Sequence, residues 1–306
     1  MMPGRASADM TLLEAADIWQ SAVPESDLAS IEEQRAAFDT FLARLPVDEE
    51  VRVRASDRDE PSGVWADIGP RAPQRTIIYL HGGAYALGSA WGYRGLAGRI
   101  ARASGTRVFV LEYRLAPEHQ FPAAIEDVFA AHEWLLSSGV TADSLIVAGD
   151  AAGAGLGLAL VQQLRDAGKP LPRATVFFSA WSDCAATAPS LVCDQIADPL
   201  VTRDGVLENA NRYLGAVDAR NPLASPLYAD LSGFPPMLLQ VGGGEGLLDD
   251  SLRLAERARQ SSVAVTVEVT AGAPHVFQLF APMLPQATAA IDAAGEFIIN
   301  QFAPKG

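Results

Sequence analysis

The chain has few cysteines and no long apolar run, and each shortage excludes a class of protein. Its 306 residues include two cysteines, Cys184 and Cys193, with no CxxC spacing and no neighbouring pair of histidines. Neither a disulfide framework nor a zinc site is indicated, so we expect free thiols, no metal and no cofactor. No run of about 18 or more apolar residues occurs, and the N-terminal MMPGRASADM lacks the apolar core of a secretory signal. We therefore predict a cytoplasmic protein without membrane insertion.

Basic residues are also scarce. The chain has 23 Lys and Arg against 37 Asp and Glu, which gives a formal net charge of −14. Such a surface repels nucleic acid and anionic membranes, so neither is expected as a partner. With 49% hydrophobic and 20% charged residues, the chain is long enough to bury one large core. A small-molecule ligand is the expected partner, and a homodimer stays open.

Strand and helix signals alternate along most of the chain. After two early strands at 51–54 and 64–68, apolar runs predict strands at 76–80, 107–113, 144–148, 174–179, 237–241 and 263–269. Helical spacing of apolar residues follows at 122–138, from 153, at 249–261 and from about 285. This order predicts an α/β fold with a mostly parallel central sheet covered by helices on both faces.

Two stretches fall outside this alternation and predict a helical cap. Residues 1–45 form an N-terminal segment with helical spacing, for example Ile31, Phe38 and Leu42. Residues 181–236 have scattered Pro, Asp and Asn around one helical piece at about 202–214. An insertion that follows strand 174–179 would lie above the carboxyl ends of the strands, where open α/β sheets bind ligands. The predicted division is a cap segment at 1–45 and a main domain at 46–306 with a cap insertion within about 181–236.

The most informative motif is a sharp turn at 149–153. The apolar run LIVA at 145–148 is followed by GDAAG and then by leucines at 156, 160 and 164. Strand, tight turn and helix in this order form the nucleophile elbow G-x-S-x-G, which lifts its central side chain above the sheet. Here Ala151 holds the central position, and a methyl group cannot attack a carbonyl.

A second motif, HGGA at 81–84, follows the strand at 76–80 directly. Adjacent glycines let backbone N–H groups turn toward a ligand, and in elbow-containing hydrolases this loop supplies part of the oxyanion hole. Together with the N–H of the residue after the elbow centre, the predicted oxyanion hole comprises Gly82, Gly83, Ala84 and Ala152.

These motifs, with YRLAPEH at 113–119, FPAA at 121–124, SPL at 225–227 and GFPP at 233–236, resemble the bacterial hormone-sensitive-lipase family of esterases. Its motifs usually read HGGG, YRLAPEHxFPAA and GDSAG. The resemblance covers roughly residues 75–300 and implies an α/β-hydrolase fold and a serine carboxylesterase mechanism. Three positions depart from the pattern: Ala84 replaces the third glycine, Ala151 the serine, and Glu245 the more common Asp.

The acid and base follow in the order that the fold requires. Glu245 lies in GGGEGLLDDS at 242–251, after a predicted strand, and a carboxylate there would hold one imidazole tautomer. Asp249 and Asp250 are the alternative acids, although capping and the helix dipole explain them better. We predict Glu245 as the acid.

The base is chosen among four histidines. His132 falls on an apolar helix face, His119 belongs to the YRLAPEH loop and His81 to the oxyanion loop. The remaining one, His275, follows a predicted strand and is the predicted general base. Candidates for the pocket wall share large apolar or aromatic side chains near these motifs: Tyr85, Trp91, Trp181, Leu200, Val201, Tyr213 and Phe277.

The expected activity is hydrolysis of short-chain acyl esters or lactones, in a form inactivated at Ala151. Two alternatives remain: a natural non-catalytic, receptor-like ligand binder on the same fold, and a hydrolase with another nucleophile such as Ser179 or Ser182. Retention of Glu245 and His275 favours an exchange of serine for alanine, because a pure binder needs neither acid nor base.

Overall fold

A computed structural model describes residues 10–20, 22, 29–69, 75–193, 196, 198 and 200–303. The remaining parts of the predicted cap, at 1–9, 21, 23–28, 194, 195, 197 and 199, lie outside the described residues, as do 70–74 and 304–306. The N-terminal stretch considered for a secretory signal falls almost entirely in the first of these ranges.

Eight strands form one sheet, in the order β1-β2-β4-β3-β5-β6-β7-β8. Their bounds are β1 Arg52–Ala55, β2 Gly63–Asp67, β3 Thr76–Leu80, β4 Arg107–Leu111, β5 Leu145–Asp150, β6 Ala174–Phe178, β7 Met237–Gly242 and β8 Val265–Thr270. Strand β2 pairs antiparallel with β1 and β4, and all other pairs are parallel. The predicted mostly parallel sheet is confirmed, and the carboxyl ends of β3, β5, β6, β7 and β8 share one edge.

Helices cover both faces of this sheet. Their bounds are α1 Leu12–Gln20, α2 Ile31–Arg44, α3 Arg94–Ser104, α4 Ala123–Ser137, α5 Ala152–Asp166, α6 Arg203–Leu214, α7 Leu248–Gln260 and α8 Pro285–Gln301. Alternate residues of β3 show the two faces. Ile78 and Leu80 join a cluster with α4, α5 and α7, whereas Ile77 and Tyr79 join one with α3 and α8. The two-residue period of a strand thus supplies both cores.

Helix α3 is absent from the predicted elements. Its sequence RGLAGRIARAS contains Gly95 and Gly98, which lower helix propensity. A Cβ on either glycine would lie within 3 Å of residues 46–51, so the glycines let the helix approach that segment. The spacing of Leu96 and Ile100, four residues apart on the buried face, is the signal that could have revealed it.

The N-terminal helices belong to the core as well as to the predicted cap. Helix α2 starts with a capping box between Ser30 and Glu33. The indole of Trp19 on α1 stacks on Phe41 of α2 with ring centroids 4.6 Å apart. Trp19, Phe38 and Phe41 are all buried in the cluster that contains α3 and α8. Their removal would therefore expose core surface, and not only uncover a ligand site.

The turn between β5 and α5 depends on glycine at 153. A Cβ there would overlap the carbonyl group of Leu80, so Gly153→Ala would push the turn away from the end of β3. We expect it to lower the free energy of unfolding by about 1–3 kcal/mol, the usual cost of overpacking. The measurement is urea unfolding followed by circular dichroism.

The matched control is Gly205→Ala in α6, where the added Cβ meets only the hydroxyl of Thr202, at 3.2 Å. This variant should unfold close to the parent midpoint. Equal losses in both variants would show that close packing at Gly153 is not what the turn needs.

Candidate active site

The elbow has a backbone conformation that side chains rarely adopt. Strand β5 ends at Asp150, α5 begins at Ala152, and Ala151 between them has φ 47° and ψ −114°. Such a conformation costs about 1–3 kcal/mol and persists only where the surroundings enforce it. The Ala151 N–H donates to the Phe178 carbonyl at 3.0 Å, and its carbonyl accepts from Trp181 N at 3.1 Å. The predicted strand–turn–helix is therefore present, held by β6 and the residues after it.

The oxyanion loop follows β3 and bends sharply. Gly83 has φ 110° and Ala84 has φ 55°. Gly82 N donates to Asp150 Oδ1 at 3.0 Å, so this N–H shapes the loop and is not free for a ligand. Within the described chain, the N–H groups of Gly83, Ala84 and Ala152 have no recorded acceptor. These three remain the donors that the sequence predicts for an oxyanion.

Asp150 connects the elbow to the oxyanion loop. Its Oδ1 also accepts from the Tyr79 hydroxyl at 2.8 Å, and its Oδ2 accepts from the Tyr93 hydroxyl at 3.1 Å. The side chain is buried, and burial raises the pKa of the carboxyl to about 6 despite these donors. The sequence pattern gives no sign that these two tyrosines are partners of Asp150.

The predicted acid and base are hydrogen-bonded to each other. His275 Nδ1 and Glu245 Oε1 are 3.1 Å apart. The other carboxylate oxygen, Glu245 Oε2, accepts from the Ser179 hydroxyl at 2.7 Å and from Gly242 N at 2.9 Å. Ser179 Oγ in turn accepts from Val276 N at 3.0 Å. Ser179 thus fixes the acid and the backbone beside the base, a role that sequence reasoning missed.

Opposing influences set the pKa of the His275 imidazole. Burial by itself lowers this pKa, because it penalises the charged ring. The charge and hydrogen bond of Glu245 raise it, and the charges of Asp198 and Asp150 add to that effect. The net result is a pKa above the ordinary histidine value, so the imidazole accepts a proton readily.

The acidic pair at the start of α7 binds a segment that the sequence did not indicate. Asp249 Oδ2 accepts from Ser190 N at 2.7 Å, and Asp250 Oδ2 accepts from Ser182 N at 2.8 Å and Asp183 N at 2.9 Å. Both lie in the first turn of α7, as predicted, but neither side chain caps the helix, because both carboxylates bind segment 182–190. This tethering fixes the start of the predicted cap insertion.

Two serines considered as other nucleophiles are engaged elsewhere. The Ser179 hydroxyl donates to Glu245, and the Ser182 hydroxyl donates to the Asp250 carbonyl at 3.2 Å. Both side chains are fully buried. Ser179 shares the positive φ of Ala151, but neither hydroxyl is free to attack a ligand, because each donates to a buried acceptor.

The candidate wall residues fall into three groups. Tyr85 stacks on Tyr213 with ring centroids 3.7 Å apart and planes 6° apart, and Trp181 lies 5.3 Å from Tyr85. All three are buried, and Val201 packs against the same cluster. Phe277 and Leu200 pack in the cluster that contains Ala151. Trp91 differs, because 52% of its surface is exposed and its ring lies against Arg94.

Two other histidines and the two cysteines have surroundings of their own. His81 Nδ1 faces its neighbour's carbonyl, Gly82 O, at 2.8 Å, and His132 is buried on α4 as predicted. Cys184 and Cys193 are free thiols. No three His, Cys, Asp or Glu side chains converge as a metal site within the described ranges. Among the helices described, none is both long and apolar enough to cross a membrane.

Comparison with known proteins identifies the family. A family model of the alpha/beta hydrolase fold matches residues 77–279. A crystal structure of an esterase from the bacterial hormone-sensitive lipase family superposes with a TM-score of 0.91 at 39% identity, covering 99% of this chain and 100% of that one. The chain belongs to the bacterial hormone-sensitive lipase family of esterases.

Two further relatives of this chain are informative. An acetyl-hydrolase from Streptomyces hygroscopicus is 43% identical over 228 residues, which are 74% of this chain and 76% of that protein. The esterase EstE5, in crystals soaked with p-nitrophenyl butyrate, superposes with a TM-score of 0.89 at 37% identity, covering 96% and 99% of the two chains. The predicted fold and the predicted carboxylesterase class are confirmed.

The pKa of His275 should depend on Glu245. By NMR titration of the chain as it stands, we expect the imidazole to titrate above its ordinary value of about 6.5. In Glu245→Gln the pKa should fall below that value, because burial then acts without the compensating charge.

The control is Glu256→Gln, an exposed carboxylate on α7 that should leave the titration of His275 unchanged. An unshifted His275 in Glu245→Gln would contradict the electrostatic assignment of this pair.

Proposed function

We propose that this chain is a carboxylic ester hydrolase for short-chain acyl esters or lactones, in a form inactivated at the nucleophile position. The observation that carries the proposal is the intact hydrogen bond between Glu245 and His275 in a fold whose elbow still has its strained backbone at Ala151. The charge of Asp150, the residue before Ala151, also acts on His275. A scaffold that keeps strain and a buried acid–base pair has retained what acyl transfer needs, apart from the attacking oxygen.

The roles follow for a parent with serine at 151. His275, oriented by Glu245, takes the serine proton while the serine oxygen bonds to the ester carbonyl carbon. The tetrahedral intermediate collapses, the bond to the alcohol breaks, and His275 gives its proton to the departing alkoxide. Water then attacks the acyl-enzyme with the same base and releases the acid.

The negative charge of the intermediate falls on the former carbonyl oxygen. We assign its stabilisation to the N–H groups of Gly83, Ala84 and Ala152, with Gly82 shaping the loop. Gly82 supports this assignment because Asp150 accepts its N–H and so fixes the start of the loop. The positive φ at Gly83 and Ala84 supports it as well, since such a backbone turns away from the strand direction.

Packing around the oxyanion loop favours short acyl groups. Tyr85 follows this loop, and its ring is closed in by Tyr213 and Trp181. Ala84 adds a Cβ where the family usually has glycine. The names of the relatives agree with this preference, since one is an acetyl-hydrolase and another was soaked with a butyrate ester.

We also propose the N-terminal segment 1–45 and the insertion within 181–236 as the cap. Helix α6 of the insertion reaches α2 through Arg212 Nη1, which donates to Gln34 Oε1 at 3.3 Å. Tyr213 of α6 stacks on Tyr85. Both cap parts therefore contact each other and the residues beside the oxyanion loop.

A natural, receptor-like ligand binder is the second candidate, supported by Ala151 itself. A binder gains nothing from the raised pKa of a buried histidine or from the Ser179 clamp on Glu245. These features favour the hydrolase.

Ala151→Ser should create esterase activity, because it supplies the one missing atom. Loss of a triad nucleophile costs on the order of 10⁶-fold in kcat in a comparable enzyme, so the gain should be of similar order. The measurement is release of p-nitrophenol from p-nitrophenyl acetate, butyrate and longer esters, with rates falling as the acyl chain lengthens.

Matched controls are Ala154→Ser, which puts a hydroxyl on a neighbouring buried alanine of α5, and Ala151→Ser with His275→Gln. Neither should approach the rate of Ala151→Ser. A folded Ala151→Ser protein that hydrolyses no short ester or lactone would refute the proposal and favour the ligand binder.

A further inference from the structure

Arg35 on helix α2 contacts three groups of the main domain at once. Its Nε donates to the Ala86 carbonyl at 2.9 Å, and its Nη2 donates to the Ala116 carbonyl at 3.0 Å. The two Nη atoms also bind both carboxylate oxygens of Glu118, each at 2.7 Å. The Arg35 side chain is 26% exposed, so these bonds are partly shielded from water. A planar guanidinium is suited to this task, because its donors point outward in a fixed geometry.

The two carbonyls lie on either side of one junction. Ala86 N and Leu87 N both donate to the Gly83 carbonyl, which closes the oxyanion loop into a turn. Ala116 N donates to the Tyr85 carbonyl at 2.9 Å, which joins that turn to the YRLAPEH segment. Arg35 therefore connects α2 to the two chain segments, at Ala86 and Ala116, that meet at the end of the oxyanion loop.

The turn needs such support because its backbone is strained. Ala84 has φ 55° and Tyr85 has φ 61°, which is uncommon for residues with a side chain. Each such position costs about 1–3 kcal/mol and must be held by its surroundings. Nearby contacts with α2 are weaker: Asp39 accepts from the Ser89 hydroxyl at 3.3 Å, and Phe38 packs near Gly88.

We propose that Arg35 is a positioning residue that reaches from the N-terminal helix α2 to hold the oxyanion loop through the carbonyls of Ala86 and Ala116. The inference rests on the proposed hydrolase function, and it assigns the loop support to a residue outside the esterase motifs. Since oxyanion donors act on charge that develops in the transition state, misplacing them lowers kcat and leaves KM nearly unchanged.

Glu118 binds the guanidinium of Arg35 and does not itself hold the loop. Its carboxylate lies against Arg35, whose hydrogen bonds lower the pKa of Glu118 to about 2. It is about half-exposed, so the ion pair itself is largely screened by solvent. The bonds from Arg35 to the two carbonyls do not require the charge of Glu118.

The test uses the Ala151→Ser background and three variants. Arg35→Ala should lower kcat by about 10- to 100-fold, the scale expected for a small misplacement of reacting groups, with KM changed less than twofold. Arg35→Lys should recover only part of this loss, because one ammonium cannot serve both carbonyls and Glu118. Glu118→Gln should keep most of kcat, since both carbonyl bonds remain.

Guanidinium at low millimolar concentration should restore part of the kcat lost in Arg35→Ala, whereas ammonium should not. A merely structural role would not give this selective rescue.

The chain offers a matched control in Arg54. Its guanidinium binds both carboxylate oxygens of Glu60 at 2.6 and 2.8 Å, on the edge strand β1. Arg54→Ala removes a bidentate pair of the same kind but leaves the bonds of Arg35 in place. The kcat should therefore stay at the Ala151→Ser value. Equal losses of kcat in the Arg35 and Arg54 variants, or no loss in Arg35→Ala, would overturn the proposal.

A readout without turnover separates this inference from the proposed function. In the chain with Ala151, amide hydrogen exchange at residues 83–87 should be faster in Arg35→Ala than in Arg54→Ala. Unchanged exchange there would refute the role of Arg35. An inactive Ala151→Ser protein with faster exchange in Arg35→Ala would instead refute the hydrolase function and leave the loop support standing.

Discussion

The strained backbone at Ala151 is the constraint on which the rest of the site depends. Its conformation requires neighbouring chain segments to pack closely, and glycines at 149 and 153 permit this, because a Cβ on either would overlap or crowd the Leu80 carbonyl. Strand β3 can therefore lie directly beside the elbow, and the oxyanion loop that continues β3 reaches the same point. One close approach between β3 and the elbow thus brings together two motifs that are about 70 residues apart in sequence.

Buried polar groups then fix each part at the correct place. Asp150 binds Gly82 N and two tyrosine hydroxyls, and Ser179 binds both Glu245 and the backbone beside His275. Because these groups are buried, an unpaired partner would cost about 1–3 kcal/mol. Burial penalises a charged imidazole, but Glu245 offsets this penalty, so that the pKa of His275 is raised overall. Buried hydrogen bonds therefore hold both the scaffold and the proton acceptor.

Local patterns were sufficient to predict what lies within one motif, and insufficient for contacts between motifs. Strand β3 and the turn at 149–153 follow from apolar runs and glycines that are adjacent in sequence. The pairing of Tyr79 with Asp150 needs the register, in which Tyr79 lies opposite Ala148 and so shares a sheet face with residue 150. Ser179 binds Glu245, which is 66 residues away, and Arg35 binds Ala116, which is 81 residues away. No local periodicity of the sequence indicates such contacts. Asp249 and Asp250 do lie at the start of a helix, as predicted, but the local pattern could not show that their carboxylates bind segment 182–190.

We propose position 151 as the missing nucleophile of an otherwise complete acyl-transfer site. The most direct measurement is covalent labelling of Ala151→Ser by an alkyl p-nitrophenyl phosphonate, with the adduct located by peptide mass spectrometry. We expect one phosphonyl group per chain, attached at residue 151, with labelling much slower when His275 is replaced by Gln. An adduct on Ser179 or Ser182, or no adduct in the folded variant, would contradict it.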